Sequence, residues 1–268
     1  MVSRLFKLLI PVFLTGMVLL NIIPLLLLIF LSLGSSWMWP HLFPGPISLS
    51  SWKYVINPAA GSLPALKTSL QIALTATLIN LILAMPAAKS LAHYHFKGRK
   101  ACELILLLPA LIPPWAVITG IHKTFIYLNL TDTMSGVILA HLLPTLPYMV
   151  RALTISFASI DYSLEEQAYL LGGNKSQTFF YITLPQLLPG IAAGSILSVL
   201  ISLSEYLTTL IIGGGQVLTL TLVMFPFVNG GNPSIGAAYS LLFALMALIT
   251  LFSLDTFINR YYSENKLY

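Results

Sequence analysis

The chain has 268 residues, of which 57% are hydrophobic and 8% charged, and its mean hydropathy is +0.89. Water-soluble domains carry about 25% charged residues, so a soluble enzyme or binding domain is excluded and an all-α integral membrane protein is expected. The net charge of +5 does not indicate nucleic acid, because many of the basic residues sit in short loops between apolar runs; the single cysteine, Cys102, rules out an internal disulfide and reads as a small apolar filler at a helix start.

Met1 to Lys7 is short and basic. An apolar run follows over 8–33. Its 26 residues make roughly 39 Å of helix, enough to cross a core of about 30 Å with some tilt. A signal peptide would have an apolar core of only about 7–15 residues, so this is a retained first span, kinked at Pro11 and Pro24. Ser35 to Leu66 is a loop rich in Pro, Gly, Ser and Trp. Trp37, Trp39 and Trp52 suit either the membrane–water interface or packing within the loop. Ser50 or Ser51 is expected to cap a short helix running to Ile56, with Asn57-Pro58 ending it.

The second span is expected over 69–91, with Pro86 inside it, and a basic loop of His93, His95, Lys97, Arg99 and Lys100 follows. Two histidines without an acid or thiol at ligand spacing read as a solvated loop, not a metal site. The third span is 103–127, containing Pro109, Pro113 and Pro114. Asn129 to Ser135 is a polar turn, and the fourth span is 136–158 with Pro144 and Pro147.

The next polar interval, 159–186, is the longest in the second half of the chain. Ser163 is a candidate N-cap with Glu166 at capping-box spacing. Leu164, Ala168 and Leu171 share one helical face, and Gly172-Gly173-Asn174 stops the helix. Ser176 is expected to cap a second short helix through Tyr181, and Pro185 and Pro189 mark the return to the membrane. The fifth span is 190–212. Gly213-Gly214-Gly215 closes it, and Val217 to Val228 is too short to cross, so it reads as a re-entrant or interfacial helix. The sixth span is 234–257.

In this six-span arrangement Arg4, Lys7, Lys89, Lys97, Arg99, Lys100, Arg151, Lys175, Arg260 and Lys266 fall on one side, against Lys53, Lys67 and Lys123 on the other. By the positive-inside rule both termini and the 159–186 segment are cytoplasmic.

That segment resembles the EAA loop of permease subunits of bacterial ATP-binding-cassette (ABC) importers. The pattern is Glu-Ala-Ala, three residues, Gly, then about nine residues before Ile/Val-x-Leu-Pro. Here it reads Glu166-Gln167-Ala168, three residues, Gly172, then Ile182-Thr183-Leu184-Pro185. Gln167 replaces the first Ala, and Gly173 stands where a small Ala often follows the glycine. Thr68-Ser69-Leu70, and Ser202-Leu203-Ser204-Glu205-Tyr206 with the later Thr219-Leu220, also resemble this family, above all its spermidine/putrescine, ferric-iron, thiamine and phosphonate permeases. The resemblance implies one permease domain over 1–268, with the six-helix type I importer fold and a cytoplasmic coupling helix. It implies docking to ATP-binding subunits through Glu165, Glu166, Ala168, Gly172, Gly173, Leu184 and Pro185. It also implies a second permease subunit or second copy, an extracytoplasmic solute-binding protein, residence in the cell inner membrane, and ATP and Mg bound by the partner ATPase and not by this chain. Glu166 also suits N-terminal capping and the helix dipole, and Gly172 an ordinary C-cap.

Other chemistry finds little support. Gly172-Gly173-Asn174-Lys175-Ser176 is similar to a phosphate loop, but Asn174 occupies the glycine place of a Walker motif. His41, His122 and His141 are scattered or fall towards the opposite interface, and Ser195 and Ser204 have no base partner, so no catalytic residues are expected. Glu205 is the one acid in the fifth span. It reads as a pathway or gate residue, with Tyr206 beside it, or as a packing glutamate. The alternative function is a self-contained secondary transporter or channel, for which Glu205 is the main support.

Overall fold

A computed structural model describes residues 2–34, 46–161 and 163–265. Trp37, Trp39, His41 and Lys266 lie outside the described residues.

The described chain is helical. In order, the helices are α1 (Val2–Ser32), α2 (Ser50–Ile56), α3 (Ser62–His93), α4 (Arg99–Leu111), α5 (Pro114–Tyr127), α6 (Met134–Ser159), α7 (Ser163–Leu170), α8 (Lys175–Thr178), α9 (Leu184–Ser204), α10 (Leu207–Gly213), α11 (Leu220–Pro226) and α12 (Pro233–Asn265). Among the described residues, four helical stretches are long and apolar enough to cross a membrane: 62–93, 134–159, 175–204 and 233–256. A fifth is reached if α4 and α5 count as one bent span, against the six expected from the sequence. The first expected span falls on α1, of which Leu19–Ser32 is a shorter apolar helix.

Two expected spans are broken. Between α4 and α5 the axis turns by 101°. The cause is local. Ile112 precedes Pro113 and Pro113 precedes Pro114, and a residue before proline is pushed out of the helical region. Both are extended, with ψ of 140° at Ile112 and 131° at Pro113. Pro113 and Pro114 therefore produce a break where apolar length alone predicts one continuous helix, whereas Pro109 lies within α4. The expected span 190–212 is interrupted as well: α9 stops at Ser204, Glu205 is extended with ψ of 92°, and α10 starts at Leu207.

The chain forms two compact units. One draws on Met1–Leu63 and Val223–Leu245, the other on Pro64–Leu222 and Met246–Tyr268. Within the first, Tyr239 is fully buried and shares a 2.8 Å hydrogen bond with Ser62. Its ring stacks on Phe227, which in turn meets Tyr54 edge-on. Trp52 donates to Ser32 Oγ at 3.3 Å. The helix α2 ends at Ile56 as expected. Its first N–H is met by Ser48 Oγ at 3.2 Å, not by a hydroxyl of Ser50 or Ser51. The stretch Leu220–Gly231 is too short to cross, in line with its length.

The second unit has a core of α3, α6 and α9. Ala84, Ala88 and Leu91 pack with Met149, Leu153 and Phe157 and with Leu187, Leu188 and Ile191. The axes of α6 and α9 approach closely because the facing residues are small. A Cβ placed on Gly194 would lie 2.6 Å from Met149 Sδ, and one on Gly190 would run into Ser156. Without a hydrophobic drive between helices in lipid, such close van der Waals packing is what associates spans. Cys102 is exposed on α4 and does not fill a core.

Candidate functional site

The 159–186 segment is built from short polar elements. The helix α7 is capped by Asp161, whose Oδ1 accepts the Ser163 N–H at 3.0 Å; Ser163, the expected cap, is the first helical residue. That bond holds the Asp161 carboxyl below its usual range. The expected apolar face does not form: Leu164 is exposed, Ala168 is half-buried, and Leu171 lies beyond the last turn. The helix ends in a Schellman turn. The Gly172 N–H bonds Tyr169 O at 3.0 Å, the Gly173 N–H bonds Ala168 O at 2.9 Å, and Gly172 has φ of +86°. A side chain at Gly172 would meet the left-handed penalty. At Gly173 an added Cβ would sit 2.9 Å from Ala168 O, so the second glycine has a steric reason of its own.

The next helix, α8, has a capping box made by Asn174, not Ser176. Asn174 Oδ1 accepts the Gln177 N–H at 2.8 Å, and Gln177 Oε1 accepts the Asn174 N–H at 3.0 Å. A wide turn at Phe179–Thr183 then leads into α9. Pro185 lacks an N–H and its ring would crowd the carbonyl four residues back, and a π-type turn is one way a helix accommodates this. Pro185 and Pro189 thus lie inside a continuous 30-residue helical stretch from Lys175 to Ser204.

The two adjacent acids of α7 have opposite surroundings. Glu166 is exposed and has no hydrogen-bond or ion partner among the described residues. Glu165 is 5% exposed. Its Oε1 accepts from Thr183 Oγ1 at 2.7 Å and Lys89 Nζ at 3.2 Å, and its Oε2 from Lys89 Nζ at 3.1 Å. Burial alone would raise this carboxyl. The Thr183 and Lys89 hydrogen bonds, with the positive charges of Lys89 and His93, outweigh it and hold the group below its usual value. Beside this acid is a groove of about 450 Å³ lined by Lys89, Tyr94, Glu165, Tyr169 and Lys175. Beyond it Leu170 and Leu171 are 87% and 89% exposed, and Tyr181 is 80% exposed.

Leu184 and Pro185 are half-buried at the start of α9. No local pattern marks Lys89 or Thr183 as partners of Glu165. Lys89 stands near the end of a different helix, 76 residues away.

The interrupted fifth span holds a second polar cluster, also in the second unit. His141 is buried on α6. Its Nδ1 lies 2.8 Å from Ser202 Oγ and its Nε2 lies 3.0 Å from Thr209 Oγ1. The Thr209 hydroxyl donates to Glu205 O at 2.8 Å, so it accepts from His141 Nε2–H, and Nδ1 accepts from Ser202. On the same helix Thr145 donates to His141 O at 2.6 Å and accepts from Asn80 Nδ2 at 2.5 Å. At the break the Thr209 hydroxyl gives the Glu205 carbonyl a side-chain partner, as irregular backbone inside a membrane requires. Glu205 is half-buried, and its carboxylate accepts from Thr208 Oγ1 at 2.5 Å. It opens on a crevice of about 50 Å³ beside Pro109, Pro114, Ile118 and Pro144. Tyr206 is half-buried next to it. His93 faces Phe157 edge-on at 6.0 Å, and among the described residues no group of three or more His, Cys, Asp or Glu is placed to hold a metal ion.

Comparisons with known proteins give the family and the fold. Residues 76–262, more than half of the chain, match the model of the family described as binding-protein-dependent transport system inner membrane component. The chain is similar to the molybdenum transport system permease protein of Haemophilus influenzae, 30% identical over 204 residues that cover 70% of this chain and 89% of that protein. It is similar to the molybdate/tungstate transport system permease protein of Pyrococcus abyssi, 34% identical over 168 residues, 62% of this chain and 67% of that one. A putative 2-aminoethylphosphonate transport system permease protein of Salmonella typhimurium is 27% identical and covers 89% of each chain. In fold the chain is similar to a crystal structure of a bacterial ABC transporter involved in import of the acidic polysaccharide alginate, with a TM-score of 0.71, 18% identity and 96% of each chain covered.

Proposed function

The chain belongs to the family of binding-protein-dependent transport system inner membrane components, the permease subunits of ABC importers, and on that premise we propose that its 159–186 segment is the lever through which an ATPase drives transport. The observation that carries this is the chemistry of the loop tip. Two adjacent leucines, Leu170 and Leu171, are almost wholly exposed on a segment whose backbone is tightly fixed by a Schellman turn and a capping box. Large apolar side chains on a rigid protrusion mark a protein-binding surface. Glu166, exposed and unpartnered among the described residues, supplies a charge to the same surface.

In this reading the loop and both termini are cytoplasmic, in keeping with the distribution of Lys and Arg. The whole chain acts as one permease domain and pairs with a second permease subunit or second copy. Two ATP-binding subunits, holding ATP and Mg, dock from the cytoplasm, and a solute-binding protein delivers solute from the other side. Ala168, Gly172 and Gly173 shape the docking surface, and Leu184 and Pro185 set its junction with α9. The chain itself has no catalytic role. Glu205 and Tyr206, at the break between α9 and α10, are pathway or gate residues, because a helix interruption beside a crevice is where a span can change shape. The relatives named for molybdate, tungstate and 2-aminoethylphosphonate favour a small oxyanion as solute.

The test is co-purification and uptake with Glu166→Lys and Gly172→Asp, made in the intact transporter. The expected result is normal membrane insertion with loss of ATPase association and of uptake. Wild-type association in both variants would remove this loop from the docking interface.

A further inference from the structure

The helix α7 has eight residues, and its one buried residue is an acid, Glu165. A surface helix is ordinarily held by an apolar stripe facing the core. Here the leucines point away from the protein and the carboxylate points into it. Each carboxylate oxygen is used: Oε1 by Thr183 and Lys89, Oε2 by Lys89. Lys89 belongs to the last turns of α3, and Thr183 ends the wide turn that precedes α9.

We propose that Lys89, Glu165 and Thr183 form a polar clasp that fixes α7 to the ends of α3 and α9, so that the lever moves as one body with two spans. This rests on the docking reading of the loop. It divides the labour of the acid pair: Glu166 faces the partner, and Glu165 with Lys89 and Thr183 are positioning residues behind it.

Three features support a clasp over a casual ion pair. First, Glu165 is buried, so removing Lys89 leaves a desolvated carboxylate without its cation, whereas an exposed pair is replaced by water at little cost. Second, the bonds cross long sequence distances, 76 residues to Lys89 and 18 to Thr183, so they join elements that local structure does not. Third, an eight-residue helix is too short to be stable by itself and depends on tertiary anchoring. Glu165 supplies the anchor that apolar side chains do not.

The experiment uses the full chain in lipid vesicles, in a Cys102→Ser background because Cys102 is exposed. Spin labels are placed on Leu83 of α3 and Gln167 of α7, both exposed, and their separation is measured by pulsed dipolar spectroscopy. The measurement is made on the chain alone and in complex with its ATP-binding subunits under vanadate-trapped ATP. The clasp gives one narrow distance distribution in both states. Lys89→Ala and Glu165→Gln broaden it, Thr183→Val broadens it less, and Lys89→Arg and the charge swap Lys89→Glu/Glu165→Lys narrow it again. Rescue by the swap is what a general loss of folding would not produce. A distribution in Lys89→Ala as narrow as wild type in both states overturns the proposal. Failure of the docking reading has a different signature: ATP-binding subunits that do not associate with a wild-type chain whose distribution is narrow.

Discussion

The loop at 159–186 and the interior around His141 solve opposite problems. The loop buries a charge and exposes leucines; the interior buries hydroxyls, an imidazole and an amide within apolar spans. In the loop a buried carboxylate anchors a helix and leaves the apolar tip free for a partner. In the interior, hydrogen bonds among Asn80, Thr145, His141, Ser202 and Thr209 hold a helix break in place. Each arrangement inverts the usual order for its solvent. The difference shows that polarity here marks places where the chain must be held in position, and apolar exposure marks where it must be met.

The largest effect is expected at the loop tip. Leu170→Asp with Leu171→Asp puts charge on the docking surface. The expected loss is at least about 2 kcal/mol of ATPase association, roughly thirtyfold in affinity, read by co-purification or titration. The unfolding temperature of the permease in detergent is expected to stay at the wild-type value. In the interior, His141→Leu leaves the Ser202 and Thr209 hydroxyls without their partner. It is expected to cost about 2–4 kcal/mol of stability, seen as a lowered thermal midpoint, with ATPase association retained in the folded fraction. The two variants should therefore fail in complementary assays, and a common failure would dissolve the distinction.

Smaller effects are expected within the loop. Gly172→Ala forces a Cβ into the left-handed region at φ of +86°, at a cost of about 1–2 kcal/mol confined to the turn. Faster hydrogen exchange at residues 170–173, with unchanged exchange in α6, is the expected sign. The smallest effect is on pH. Glu165 is held below its ordinary value of 4.5 in the fold. The stability it contributes is therefore complete above the unfolded value and is lost as pH falls through the folded one. Exchange in α7 should rise on acidification below about 4.5, with Lys89 and His93 the cations facing the carboxylate and Tyr94, Tyr169 and Lys175 lining the groove beside it. Glu165→Gln should remove that dependence.

What was legible in the sequence follows the range of the forces. The loop, its glycine turn and the shortness of 217–228 are readable because left-handed turns and length are local properties; the caps are not, since Asp161 and Asn174 stand where Ser163 and Ser176 are expected. The turn of 101° between α4 and α5 is written in Pro113-Pro114, but the apolar length of 103–127 points instead to one continuous span. The break at Glu205 carries no proline or glycine. It depends on hydroxyls of Ser202, Thr208 and Thr209 taking over backbone and side-chain partners. The burial of Glu165 depends on Lys89, far away in the chain, and nothing in the Glu165-Glu166 pair separates an inward acid from an outward one until α3 is placed. His141 looked scattered because its partners lie 61 and 68 residues on.

The most direct test of the lever is site-specific photo-crosslinking in the assembled transporter, with the crosslinker placed at Leu171 of the loop and, as control, at Ile155, 60% exposed on α6. The expected result is a covalent adduct between Leu171 and an ATP-binding subunit, with none from Ile155. An adduct from Ile155 with none from Leu171 would contradict it.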